Sequence, residues 1–229
     1  MSSTAAALSR RAALARILPF AVYIALLVAA PALREALPAG WDNRWLYAVQ
    51  IAAVLLVLAW LSREYLELRP LSLSRRDALE ATTVGIAVFA AWITLDLPWA
   101  MLDEPGAGFD PRSASGEIDW GLAAVRIFGA AAVVPIMEEL FWRSFILRWI
   151  DTPEFLRLAP AAASLRALVI SSVVFGIEHN LWLAGILAGL AYGRLYMRSN
   201  TLWSPILAHA VTNLLLGLWV VATGTWSFW

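Results

Sequence analysis

Cysteine is absent from the 229 residues. That excludes a disulfide framework, a thiolate metal site and a cysteine nucleophile. Charge is scarce as well. Only 15% of residues are charged, 17 basic and 17 acidic groups cancel, and no basic cluster offers a nucleic-acid surface. Histidine occurs twice. Apolar residues fill the space instead, at 61% of the chain with a mean hydropathy of +0.71. A soluble domain of this size has too little interior to hide that much apolar surface, whereas lipid accepts it. Many of the 13 tryptophans sit near the ends of apolar runs (Trp41, Trp45, Trp60, Trp99, Trp120, Trp203, Trp226, Trp229), as in an interfacial aromatic belt.

A membrane-crossing helix needs about 20 apolar residues at 1.5 Å rise each. That spacing predicts spans at 14–33, 43–62, 77–99, 119–149, 166–180, 182–198 and 201–222. The first follows Arg10, Arg11 and Arg16, runs long and flows into more spans, so it reads as a retained helix rather than a signal peptide. Residues 100–118, rich in Gly, Pro, Ser and acids, form the one clear extramembrane loop, and Thr152-Pro153 marks a second break. Pro135 removes a backbone hydrogen bond in mid-span, which predicts a kink or a broken helix and an eighth helix if the span divides. The short pieces 166–180 and 182–198 predict a tilted hairpin around His179-Asn180-Leu181, of the kind that lines a cavity. The expected fold is an all-α polytopic transmembrane bundle of seven to eight helices. Residues 1–229 read as a single integral membrane domain, with N-terminal helices to residue 100 and a motif-bearing core at 119–222.

Arginines set the expected orientation. Arg10, Arg11 and Arg16 precede the first span; Arg63, Arg69, Arg75 and Arg76 follow the second; Arg148, Arg157 and Arg166 follow the fourth; Arg194 and Arg198 close the sixth. The positive-inside rule then puts the N-terminus in the cytoplasm and the C-terminus outside the cell membrane.

A charge inside a bilayer costs on the order of 2.5–3.5 kcal/mol on insertion scales and so needs a partner or a task. Asp96 and Arg126 read mainly as structural, pairing with each other or snorkelling. The run Pro135–Arg143 holds two adjacent carboxylates in an apolar stretch. Glu139 and Arg143, at i and i+4, share a helix face and form an ion pair, while Glu138 points about 100° away and is left without a local partner. By itself this segment also fits a buried structural pair with a spare acid. His179, at the end of an apolar run, would alone read as a packing residue, and Glu178 as an interfacial acid. His209 and Asn213 again share one face at i and i+4, about 12–18 Å into the last span. One acid, two imidazoles and an amide on three helices supply both a general base for water and donors for a developing oxyanion.

The motifs Glu-Glu-x-x-x-Arg at 138–143, Phe-x-x-x-His at 175–179 and His-x-x-x-Asn at 209–213, in this order on membrane helices, resemble the CPBP family, the type II CAAX prenyl proteases and their bacterial Abi relatives. The resemblance covers roughly residues 119–222. The ending Thr223–Trp229 resembles a bacterial subgroup linked to exosortase protein-sorting systems. What the family implies is an intramembrane glutamate-type protease with no cofactor, acting on a peptide or membrane-protein substrate in the bilayer. Carried over, Glu138 with His179 activates water, His209 and Asn213 stabilise the oxyanion, and Glu139, Arg143 and Phe175 support the site. Two other readings stay open. One is a zinc protease using the same residues, since two His and one Glu make a catalytic ligand set, although no His-Glu-x-x-His is present. The other is a non-enzymatic immunity or scaffold protein of the membrane.

Overall fold

With no water to satisfy it, a backbone in hydrocarbon must bond to itself, and a single segment does that only as a helix. The computed structural model describes residues 3–38, 40–69, 71–104 and 106–229, with side chains from Ser9 onward. Among the described residues there are seven helices and no β-strand, only one isolated bridge between Arg112 and Ile118. They are α1 (Ser3–Ala36), α2 (Leu46–Trp60), α3 (Arg75–Thr94), α4 (Trp120–Leu147), α5 (Leu165–Ile177), α6 (Trp182–Ser199) and α7 (Trp203–Thr223). Five of them, α1 to α4 and α7, are long and apolar enough to cross a membrane.

Local chemistry sets the helix ends. Ser74, Asp119 and Ser164 each accept a backbone N–H of the following first turn, which starts α3, α4 and α5. Asn200 and Gly224 take left-handed conformations that stop α6 and α7. The third span is shorter than its apolar pattern predicts. It ends at Thr94: in a continued helix Pro98 would have no N–H to give the Thr94 carbonyl and its ring would clash there, so Asp96 lies beyond α3. The predicted break at Pro135 does not occur. Instead α4 runs on unbroken and widens into π-helix at Gly129–Val133 and Leu140–Leu147, on either side of an α-helical stretch at Val134–Glu139. The count therefore stays at seven.

Close backbone contact replaces water-driven burial as the packing force between such helices. A Cβ on Gly85 of α3 would lie 2.5 Å from the Ala208 carbonyl oxygen of α7, and one on Gly185 of α6 would lie 2.8 Å from the Cα of Gly176 of α5. Those two crossings bring α3 against α7 and α5 against α6 around the motif-bearing α4.

The arginine-bearing segments gather at one end of the bundle. Ser9 donates to the Pro153 carbonyl there (2.7 Å), Arg11 pairs with Glu64 (2.7 Å), and Arg198 pairs with Glu80. Deeper at the same end, Arg16 is fully buried on α1 and pairs with Glu67 (2.6 Å). Ser144 of α4 accepts from Arg16 Nε (2.8 Å) and from Arg148 (2.9 Å), and donates to Glu67. The acidic loop lies at the opposite end, where the backbone N–H of Asp103 donates to the Asn180 side chain (2.8 Å).

Burial raises the Glu67 carboxyl, but the Arg16 guanidinium and the Ser144 hydroxyl outweigh it and hold the group below the ordinary value. A depressed carboxyl contributes stability that is present above its unfolded value and lost as pH falls. The bundle is therefore expected to lose stability as pH drops below the ordinary glutamate value of 4.5. Glu67→Ala, which strands a buried arginine, should cost about 3–5 kcal/mol at neutral pH and abolish this acid-sensitive phase. Thermal melts of the purified protein in detergent across pH test both.

Candidate active site

Glu138 and Glu139 follow one another on the α-helical stretch of α4, and both are buried. Their environments differ. Glu139 Oε1 lies 3.1 Å from Arg143 and 3.0 Å from His209 Nδ1, so a single carboxylate oxygen joins α4 to α7. The i, i+4 pair expected from the sequence is present, with His209 as a further partner the sequence did not show. Arg143 lies over the ring of Phe175 at 4.5 Å and the ring of Tyr192 at 5.3 Å, which extends the contact to α5 and α6. Tyr192 in turn stacks on His209 with centroids 5.1 Å apart.

Glu138 has no such clamp. Its Oε2 is buried without a hydrogen-bond partner among the described residues and stands 4.0 Å from His209 Nε2. The carboxyl faces a cavity of about 190 Å³ lined also by His179, His209, Asn213, Phe175 and Tyr192. The structure thus brings four predicted residues, Glu138, His179, His209 and Asn213, to one space, with Phe175 in its wall. Glu139 and Arg143 stand behind that wall. A second cavity of about 170 Å³ shares Trp92, His179 and Phe228 with the first and is lined by Asp96, Met101 and Asn180, toward the end of the bundle opposite the arginine-rich segments.

Hydrogen bonding fixes what each imidazole can do. His179 Nδ1 lies 2.8 Å from the Phe175 carbonyl oxygen. A carbonyl only accepts, so Nδ1 carries the hydrogen and Nε2 keeps its lone pair. Trp92 meets the same ring edge-on at 5.4 Å. His209 Nδ1 lies 3.0 Å from Glu139 Oε1, an oxygen that Arg143 also contacts, so Nδ1 donates there and carries the hydrogen, and Nε2 points toward Glu138.

The helix irregularity beside the site has a local cause. In the first π segment, the N–H of Val134 reaches back to the Gly129 carbonyl. The next bond in that register would run from residue 135 to the Ala130 carbonyl, and Pro135 has no N–H to give. Asn213 Nδ2 fills the gap, donating to Ala130 at 2.8 Å. This holds the amide at the cavity with its second N–H and its oxygen uncommitted by that bond.

Two further residues belong to the site, Thr212 and Tyr192, with little sign of it in the sequence. Thr212 donates to the Gly85 carbonyl (2.9 Å) and accepts from Tyr192 (2.7 Å), linking α3, α6 and α7 directly behind His209. Its position three residues from His209, on the same side of the helix, was the available signal. Tyr192 gave a weaker one, as one of two phenols in a glycine-rich stretch. Arg126 and Asp96 form no ion pair with each other among the described residues. Arg126 instead lies over the Tyr47 ring at 4.4 Å, and Glu178 is exposed at the α5–α6 turn. Among the described residues no cluster of three or more His, Cys, Asp or Glu is spaced to hold a metal ion.

Residues 120–215 match the family model described as type II CAAX prenyl endopeptidase Rce1-like. The motif-bearing helices are Rce1-like. The matched stretch runs from the first turn of α4 to the middle of α7 and contains all seven residues singled out from the three motifs. The Rce1-like segment supports a membrane endopeptidase of the CAAX protease type and an integral membrane location. No curated protein and no solved structure matches the chain.

The two glutamates should respond oppositely to neutralisation. Glu139→Ala leaves Arg143 buried without its counter-charge and should cost about 3–5 kcal/mol. Glu138→Gln removes a buried acid that has no clamp and should leave stability within about 1 kcal/mol of the parent or raise it. Paired denaturation curves of the two variants measure the difference.

Proposed function

We propose that this chain is a glutamate-type intramembrane endopeptidase that needs no metal. The observation that carries the reading is the shared cavity. It holds a carboxyl without a hydrogen-bond partner, an imidazole with a free Nε2 lone pair, and two groups able to donate. Glu138 and His179 Nε2 hold a water, and the Glu138 carboxylate takes its proton as the oxygen attacks the peptide carbonyl. The developing oxyanion accepts from Asn213 and from His209 Nε2, the His209 ring entering the step with a hydrogen on each nitrogen, Nδ1–H to Glu139 and Nε2–H toward the substrate. The proton then passes to the leaving amine from the carboxyl that received it. Glu139 and Arg143 act on the reaction only through His209 and the packing around it.

Glu138→Gln, His179→Ala and His209→Ala should each lower cleavage of a co-reconstituted membrane peptide library about 10²–10⁴-fold while the variants still insert and melt cooperatively. Asn213→Ala should cost about 10²–10³-fold, the scale for one oxyanion donor. Undiminished cleavage in the three histidine and glutamate variants would reject the catalytic reading in favour of an immunity or scaffold role. Stoichiometric zinc, with activity lost to chelator and restored by zinc, would establish the zinc alternative instead.

The arginine-rich end faces the cytoplasm in this reading, with the N-terminus, and the cavities approach the outer face of the cell membrane. A substrate anchored in the membrane and handled by a sorting system would present its peptide bond on that side. The cysteine-free background gives a direct test. A cysteine at Ser113 should react with an impermeant maleimide in intact cells, and one at Ser199 should react only after the membrane is opened. The reverse pattern would invert the topology.

A further inference from the structure

A third cavity, of about 490 Å³, opens between α1 and α2 and meets the catalytic cavity at Tyr47, Arg126 and Trp229. Its two halves differ in chemistry. Leu26, Leu27, Leu33 and Val49 line the deeper part, and Leu27, Leu33 and Val49 remain exposed on the bundle surface, where acyl chains lie. Leu26 to Leu33 covers about 10 Å along the helix, the reach of the upper part of an acyl chain. The other half carries three guanidinium groups, from Arg34, Arg44 and Arg126.

Only one of the three is neutralised. Arg44 is clamped by Asp42 at 2.6 Å. Arg34 and Arg126 form no ion pair among the described residues, and Asp110, the one acid in the lining, is paired with Arg112 at 2.6 Å. Arg126 is held by ring faces, those of Tyr47 at 4.4 Å and Phe109 at 5.9 Å, and its Nε is buried without a hydrogen-bond partner among the described residues. It lies about 9 Å from the start of α4, and Arg34 about 3 Å from the end of α1. Two cations without counter-ions at headgroup depth, above an apolar groove that faces the bilayer, match a molecule with a negative head and an aliphatic tail.

We propose that the groove between α1 and α2 is a binding site for an anionic phospholipid, with its phosphodiester at Arg34 and Arg126 and one acyl chain along Leu26, Leu33 and Val49. The ligand neutralises the two guanidiniums and closes the side of the catalytic cavity that Arg126 and Tyr47 border. This site is independent of the peptidase reading, since nothing in it uses Glu138, His179 or His209.

Native mass spectrometry of the full chain, released from mixed micelles of phosphatidylglycerol and phosphatidylcholine, tests the site. Each arginine near a lipid surface contributes about a fivefold preference for an anionic head, so the parent should retain phosphatidylglycerol about 25-fold over phosphatidylcholine. Arg34→Gln should reduce that preference about fivefold, and Arg34→Gln with Arg126→Gln should abolish it. Arg34 is exposed and its single variant folds independently of the deeper change, so the test stands even if the double variant does not fold. Ala30→Phe, which fills the apolar floor, should reduce retention of both lipids. Equal retention of the two lipids by the parent, or an unchanged preference in Arg34→Gln, would overturn the proposal. Stabilisation by glycerol phosphate alone equal to that by phosphatidylglycerol would overturn the lipid assignment in favour of a free phosphate.

Discussion

A carboxylate with no water around it must be held by whatever side chains reach it, and Glu139 meets that demand with a single oxygen. Its Oε1 touches both Arg143 and His209 Nδ1. Because Arg143 also lies over Phe175 and Tyr192, the charge on Glu139 orders groups from α4, α5, α6 and α7 at once. His209 gains a fixed ring orientation and a fixed hydrogen on Nδ1. Tyr192 stacks on that ring and is itself held by Thr212, whose hydroxyl bonds the α3 backbone at Gly85. Glu138 is the residue this arrangement leaves over. Its lack of a hydrogen-bond partner among the described residues follows from its register, about 100° around the helix from Glu139.

The same logic explains the helix that carries both acids. A proline in mid-span leaves a carbonyl without its donor, and in lipid no solvent makes up the loss. Here the helix widens before Pro135, the unmatched carbonyl becomes that of Ala130, and Asn213 supplies the bond from α7. A defect in one helix becomes a fixed point for an amide on another. The link also ties the position of Asn213 to the acids only eight and nine residues further along α4.

The sequence made some of this legible and not the rest. Apolar run lengths and the arginine rhythm indicated the seven helices and grouped the arginine segments that the structure gathers at one end. Register separated Glu139 from Glu138, because i, i+4 spacing is a local property. Distances between helices are not local. Nothing in the spacing of Glu139 and His209, 70 residues apart, could show that they touch. The outcome at Pro135 was hidden for a related reason: whether a proline kinks a helix or widens it depends on the donor available from a neighbour. Thr212 and Tyr192 escaped notice because a hydroxyl in a membrane helix usually bonds its own backbone, and Thr212 does so as well, to Ala208 at 3.0 Å.

Two polar clusters share α4, and their positions explain why a membrane protein would keep both. Arg143 and Ser144 are consecutive in the second π segment, yet Arg143 turns to Glu139 and the cavity wall while Ser144 turns to Arg16 and Glu67 at the arginine-rich end. The helix is thereby pinned on two of its faces within one turn. Phe20 of α1, stacked on Phe141 at 4.1 Å, adds an apolar contact between them. Charge stabilisation in a site is effective to the extent that its donors need not move when charge develops. A lone helix in fluid lipid could slide or rotate and carry Glu138 off the cavity. With Arg16, Glu67 and Ser144 fixing one side and His209 and Asn213 the other, its rotation is set before any substrate arrives. The buried charges far from the cavity thus serve the chemistry by holding still the helix on which the unpaired acid sits.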